Sequence, residues 1–206
     1  MLKITRNLTY NSLTMGVVLA GLALVSPEAN ASTLLSVFRT TPITVDNIRV
    51  TWLSDTGLED RDRVDLLKFS DLEYLFHYSA RGALKTSGDL SYKIEILDPS
   101  YYFSGVQLDS NTSRLYQSVK KDVHGLLSLN SVNGKPDFFG DFSNIFGQFT
   151  SLNIKNSFTP GPNGKLLSTS NQFLLAPRTP VPEPGTVLGL LALGGIGFIS
   201  RFPKQK

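Results

Sequence analysis

Apolar and polar side chains alternate along much of the middle of the chain. In LSYKIEIL, Leu90, Tyr92, Ile94 and Ile96 alternate with Ser91, Lys93 and Glu95, the two-residue period of a strand with one dry and one wet face. DNIRVTW repeats the pattern with Ile48, Val50 and Trp52. Further strand-like runs are LLSVF from Leu34, LEYLFHY from Leu72, SGVQLD from Ser104, GLLSLNSV from Gly125 and TSLNIKNSF from Thr150. Turn residues bound them: Ser87-Gly88-Asp89, Asp98-Pro99, Asn133-Gly134-Lys135 and TPGPNGK from Thr159. Short strands without convincing amphipathic helices between them predict an all-β fold, an antiparallel β-sandwich over residues 32–158. One stretch departs from the pattern. In PDFFGDFSNIFGQF, Phe138, Phe142, Phe146 and Phe149 are nearly helically spaced, but Gly140 and Gly147 argue for a helical turn or a Phe-rich loop packed on the core. From 159 to 181 the composition shifts to Pro, Gly, Ser, Thr and Asn, which predicts a linker, with QFLLA (Gln172 to Ala176) as a late strand or loop contact.

The two ends are apolar in a different way. Lys3 and Arg6 precede an uncharged run from Met15 to Val25, and SPEANAS then places Ala29 and Ala31 in an Ala-x-Ala cleavage site before Ser32. Residues 1–31 are thus expected to be a secretory signal peptide handled by the Sec machinery and signal peptidase, the run being too short for a comfortable bilayer span. At the other end, Pro180, Pro182 and Pro184 stiffen an extended approach to VLGLLALGGIGFI (Val187 to Ile199), after which come Arg201, Lys204 and Lys206. Gly189, Gly194, Gly195 and Gly197 make a poor soluble helix but are tolerated in lipid, so this segment reads as a short transmembrane helix with its basic end held on the cytoplasmic side.

Pro182-Glu183-Pro184, then the apolar segment Gly185 to Ser200, then the basic tail Arg201 to Lys206 resemble the PEP-CTERM sorting signal. The resemblance covers residues 182–206 and implies recognition by an exosortase, a membrane-embedded cysteine protease that cuts near the motif. It also implies an inner-membrane intermediate and delivery to the cell surface or extracellular matrix. The usual tight run of arginines is reduced here to Arg201 and two separated lysines.

Charge sharpens this picture. Of 20 basic and 17 acidic side chains, five and two respectively lie in the end segments, which leaves residues 32–180 neutral overall. A nucleic-acid binder needs a basic surface on its domain, so no nucleic-acid partner is expected. The chain has no cysteine, which excludes disulfides, thiolate metal sites and a cysteine nucleophile.

Candidate chemistry is sparse. SDTGLEDRDRVD gathers Asp55, Glu59, Asp60, Asp62 and Asp65, oxygen ligands of the type that bind Ca²⁺, but Arg61 and Arg63 are interleaved and the spacing misses the EF-hand loop. A solvated loop, with its arginines paired to its own carboxylates, is the expectation. His77 shares a strand face with Glu73, Leu75 and Ser79, and Glu73, about 13 Å away along a strand, is too far to orient the imidazole. His124 precedes Gly125 as a turn residue would. No nucleophile elbow, zinc-protease motif, Walker loop or dinucleotide fingerprint occurs. Tyr101, Tyr102 and Phe103 could stack on a sugar ring, although alternation along a strand sends at least one into the core. The expectation is therefore an exported, non-enzymatic surface or matrix protein without a cofactor, structural or adhesive and associated with exopolysaccharide. A secreted glycan- or Ca²⁺-binding module is the alternative, and a secreted hydrolase the second alternative.

Overall fold

The computed structural model describes residues 29–84, 87–113, 118–136 and 142–179. The chain opens with β1 (Ala29–Leu34) and a single helical turn, α1 (Leu35–Phe38). A hairpin of β2 (Ile43–Val45) and β3 (Ile48–Thr56) comes next, then a second of β4 (Arg63–Ser70) and β5 (Glu73–Leu84). Then come β6 (Gly88–Ile96), β7 (Tyr101–Thr112), β8 (Ser118–Val123), β9 (Leu127–Val132) and the short β10 (Lys135–Pro136) and β11 (Ser143–Asn144). The last strands are β12 (Ser151–Thr159) and β13 (Leu166–Pro177).

These strands form two antiparallel sheets, one in the order β1-β4-β5-β13-β7-β11 and the other β10-β9-β8-β12-β6-β3-β2. Aromatic contacts join their inner faces: Phe76 of the first sheet lies 4.2 Å from Tyr92 of the second, and Tyr78 stacks on Phe158 at 5.6 Å. The alternation predicted from sequence is what fills the space between. On β6, Gly88, Leu90, Tyr92, Ile94 and Ile96 are buried while Asp89, Ser91, Lys93 and Glu95 are half-exposed; on β12, Leu152, Ile154, Asn156 and Phe158 turn inward. Large aromatics and branched aliphatics at those positions make one contiguous core, the dominant favourable term in holding two sheets face to face.

Local turn chemistry sets the register of the short hairpins. Asn133 and Gly134 take φ of 52° and 76°, the left-handed pair that closes a two-residue hairpin between Val132 and Lys135. His124 and Gly125, at 54° and 71°, begin the three-residue loop between β8 and β9.

Three sequence expectations need correction. The segment 159–181 is not mostly linker: Leu166–Pro177 is a full strand between β5 and β7. Its inward positions include Thr169 and Asn171, both fully buried, so the hydrophobic alternation that marks a strand is interrupted and the stretch reads as polar. LLSVF is not a strand, because Leu35–Phe38 turns helically to bury Leu35 and Phe38 at the rim of the core. The domain also starts before Ser32, since Ala29, Asn30 and Ala31 pair with Lys68, Leu67 and Leu66 on β4. The Phe-rich stretch has no helix among its described residues: Ile145 is buried, Phe149 packs against the core, and Phe146 is 86% exposed.

Candidate functional site

The acidic stretch is partly solvated and partly built into the fold: Asp60 and Glu59 are exposed, whereas Asp55 and Asp62 are held by internal donors. Asp55 is gripped in a bidentate pair by Arg39, at 2.8 Å from both Nε and Nη2, and accepts the Trp52 indole N–H at 2.8 Å. These bonds tie α1 to the end of β3 and raise the Arg39 pKa further, chiefly through the Asp55 hydrogen bond. Asp60 takes a third N–H of Arg39, from Nη1, and Glu59 pairs with Arg61 at 2.7 Å. Asp62 is only 2% exposed and accepts three donors: Tyr78 Oη at 2.7 Å, Glu59 N at 2.9 Å and Arg81 N at 2.9 Å. Asp65 lies opposite His77 in the β4–β5 register. Among the described residues no group of three or more acids and histidines converges as a metal site would require.

Beside this network lies a basic pocket of about 440 Å³, lined by Leu34, Arg61, Arg63, Ser79 and Arg81. Register explains it. Leu34 pairs with Arg63 and Arg63 with Ser79, so the three stand in a row across β1, β4 and β5 on the outer face. Arg81 lies two residues beyond Ser79, about 7 Å along β5 on the same face, and Arg61 lies in the turn just before β4. Arg63 Nη2 donates to Ser32 Oγ at 2.6 Å, and among the described residues neither Arg63 nor Arg81 has a carboxylate partner. The expected pairing of the interleaved arginines with local acids thus holds for Arg61 alone. Nothing in the sequence around Arg81 marks it, and only the hairpin register brings it to the others.

The histidines are far apart in the architecture, one on each sheet. His77 Nδ1 is 2.8 Å from Ser170 Oγ, and burial pushes its pKa down, partly offset by Asp65 across the ladder. The row Asp65–His77–Ser170 has the residue types of a hydrolytic triad, yet β5 is paired on both sides along this row, which commits its backbone N–H groups to the ladders. His124 sits at the β8–β9 turn, accepts Asn153 N–H at 3.3 Å and packs on Phe149 at 5.7 Å. It borders a shallow groove of about 310 Å³ on the other sheet with Leu53, Ser91, Asp122 and Asn153.

A buried polar cluster between the sheets is invisible to the sequence patterns above. Lys121 is fully buried, its Nζ 3.3 Å from the Gln107 carbonyl and 4.6 Å over the Phe173 ring, and burial pushes its pKa well down. Tyr92 Oη faces Asn156 and Asn171, but none of these three makes a well-aligned hydrogen bond with the others. The signal that could have found Lys121 lies in SVKKDV, where it falls in phase with Val119 and Val123. The SYYF aromatics divide as alternation requires: Phe103 is fully buried, and Tyr101 and Tyr102 are half-buried rather than a free platform.

The architecture is an all-β domain whose last strand ends at Pro177, just ahead of a C-terminal tail that carries the chain's other recognisable feature. Residues 180–204 match the family model of the PEP-CTERM protein-sorting motif, so this is an exported chain with the sorting signal of an exosortase substrate, directed through the membrane to the cell surface. No curated protein matches it. Pro182, Glu183, Pro184, Arg201, Lys204 and Lys206, with the expected transmembrane helix, lie outside the described residues, as does the expected signal peptide up to Glu28. Among the described residues no helix is long and apolar enough to cross a membrane.

Proposed function

We propose that the chain is a non-enzymatic surface or matrix protein, structural or adhesive and associated with exopolysaccharide, freed from the membrane by cleavage near Pro182-Glu183-Pro184. The sorting motif carries this reading. It begins at residue 180, three residues past the end of β13, so a cut near the Pro-Glu-Pro motif leaves β2 to β13 whole in the released part, with β1 kept from Ser32 onward. The fold suits that role, being made of paired strands, needing no disulfide, and committing its densest acidic stretch to internal braces. The intact mass of the protein recovered from host cells and from their medium tests the reading. A mass running from Ser32 to the neighbourhood of Pro184 is expected outside the cell. A mass running through Lys206, found only in membranes, would leave a plain anchor and reject the release step. The hydrolase alternative is met separately: any ester or glycoside hydrolysis that disappears when His77 and His124 are both replaced by Gln would overturn the non-enzymatic assignment.

A further inference from the structure

We propose that the Arg61–Arg63–Arg81 pocket binds the carboxylate groups of an acidic polysaccharide. The inference rests on the matrix reading only for its expectation that the protein meets extracellular glycan; the chemistry comes from the pocket. Three arginines line one pocket, Arg63 on β4, Arg81 on β5 and Arg61 in the turn before β4, where like charges repel unless an anion joins them. Glu59 answers one of them at 2.7 Å, and among the described residues Arg63 and Arg81 have no carboxylate partner. Asp62, between Arg61 and Arg63 in sequence, is turned away: its oxygens accept Tyr78, Glu59 N–H and Arg81 N–H within the fold, while Asp60 is taken by Arg39. A planar guanidinium fork matches a carboxylate in two parallel hydrogen bonds, which a lysine cannot do.

What surrounds the forks favours a sugar chain over other polyanions. Ser32 and Ser79 stand in or beside the pocket, and the row two residues further along the face carries Asp65, His77 and Ser170, with the acid at the β4 end. Those hydroxyl and imidazole groups suit a ring rich in hydroxyls, and the exposed Leu34 offers an apolar edge for a ring face. The volume of about 440 Å³ accommodates a sugar residue with room for its neighbour rather than one small ion. Residues 32–180 carry no net charge, so the broad positive field that gathers nucleic acid by counterion release is missing and the attraction is local.

The test uses the exported protein as recovered from its host, with polygalacturonate as the acidic probe, dextran as the neutral one and single-stranded DNA as an unrelated polyanion, at about 0.15 M salt. Binding to polygalacturonate well above that to dextran and DNA is expected. The double variant Arg63→Gln/Arg81→Gln should weaken it at least about tenfold, the scale of one charge-assisted hydrogen bond. Arg63→Lys/Arg81→Lys keeps the charge and guards against a folding artefact; it should bind between the two, since the charge survives and the fork does not. Lys120→Gln/Lys155→Gln, on the opposite sheet, should bind as the parent does. Equal binding by the parent and the folded Gln variant overturns the proposal, as does DNA held as tightly as polygalacturonate. Neither failure touches the sorting reading, which the mass of the exported form decides independently.

Discussion

The Tyr78 hydroxyl donates to Asp62 Oδ2 at 2.7 Å in the interior, next to the stacked rings of Tyr78 and Phe158. Because Asp62 also holds the backbone N–H groups of Glu59 and Arg81, one buried carboxylate fixes the loop before β4 against β5. It thereby sets both walls of the arginine pocket, Arg61 through its neighbour Glu59 and Arg81 through its own backbone. An acid that reads in sequence as part of a wet loop is the fastener of a site.

Removing either member should be felt in stability. Tyr78→Phe deletes one hydrogen bond to a charged acceptor and is expected to lower the unfolding free energy by about 1.5–3 kcal/mol. Asp62→Ala strands three donors and should lower it by more, on the order of 3–4 kcal/mol. Urea unfolding of both variants and of the double mutant measures the coupling. A double mutant no worse than Asp62→Ala is expected, because the hydrogen bond that Tyr78→Phe removes is already gone once Asp62 is replaced; strict additivity would mean that the pair does not interact.

Lys121 makes the opposite prediction. Its ammonium is fully buried over Phe173 with one carbonyl for company, and burial pushes its pKa well below the usual lysine value. The unfolded chain holds that proton up to about pH 10.4, so the folded state is penalised below this and relieved as pH rises through the window beneath it. Lys121→Met, similar in length and without charge, should raise stability near neutral pH by on the order of 1–2 kcal/mol. It should also flatten the rise in stability between about pH 8 and pH 10. Thermal unfolding across that range checks both, and an unchanged slope in the variant would clear Lys121 of the effect.

Much of the fold is legible in the sequence because strands write themselves in period two. Leu90, Tyr92, Ile94 and Ile96 announce β6, and Asn133-Gly134 announces its hairpin, since both signals are local and backbone-driven. β13 is hidden for a physical reason: a buried strand with Thr169 and Asn171 facing inward looks like a linker until the partners of those groups are known. Thr169 Oγ1 finds the Asp109 carbonyl at 2.9 Å, a contact that no window on the sequence could suggest. The same limit applies to sites. A sorting signal is read as linear sequence by another protein, so its order of parts is visible at once. The arginine pocket depends on Arg63 pairing with Ser79 across a hairpin, and register between strands is set by the whole sheet.

Acid should weaken the domain through His77. Burial holds its pKa below the ordinary value, with Asp65 on β4 opposing and Ser170 on β13 bonded to Nδ1. As pH falls beneath about 6.5 the unfolded chain takes up this proton before the folded one does, so stability is intact above that value and lost as pH drops through the folded pKa. His77→Gln keeps a hydrogen-bonding group beside Ser170 and removes the titration. The variant should hold its thermal midpoint between about pH 6.5 and pH 5 better than the parent, and parallel curves would place the acid sensitivity elsewhere.

The placement of β13 gives the sharpest test of where the domain ends. Ending the chain after Phe158, at the boundary expected from composition, removes the strand that lies between β5 and β7. Phe173, fully buried and 5.8 Å from Phe103, would go with it, as would Leu166, Thr169, Asn171 and Leu175. Deleting one buried Phe costs about 3–5 kcal/mol, comparable to a small domain's entire stability, and here both ladders of a central strand are lost as well. A chain ending after Phe158 should therefore be insoluble or show no cooperative unfolding, whereas one ending after Thr179 should unfold cooperatively with the parent's midpoint. Cooperative unfolding of the shorter chain would mean that β5 and β7 can close on each other and that the sheet does not need its central strand.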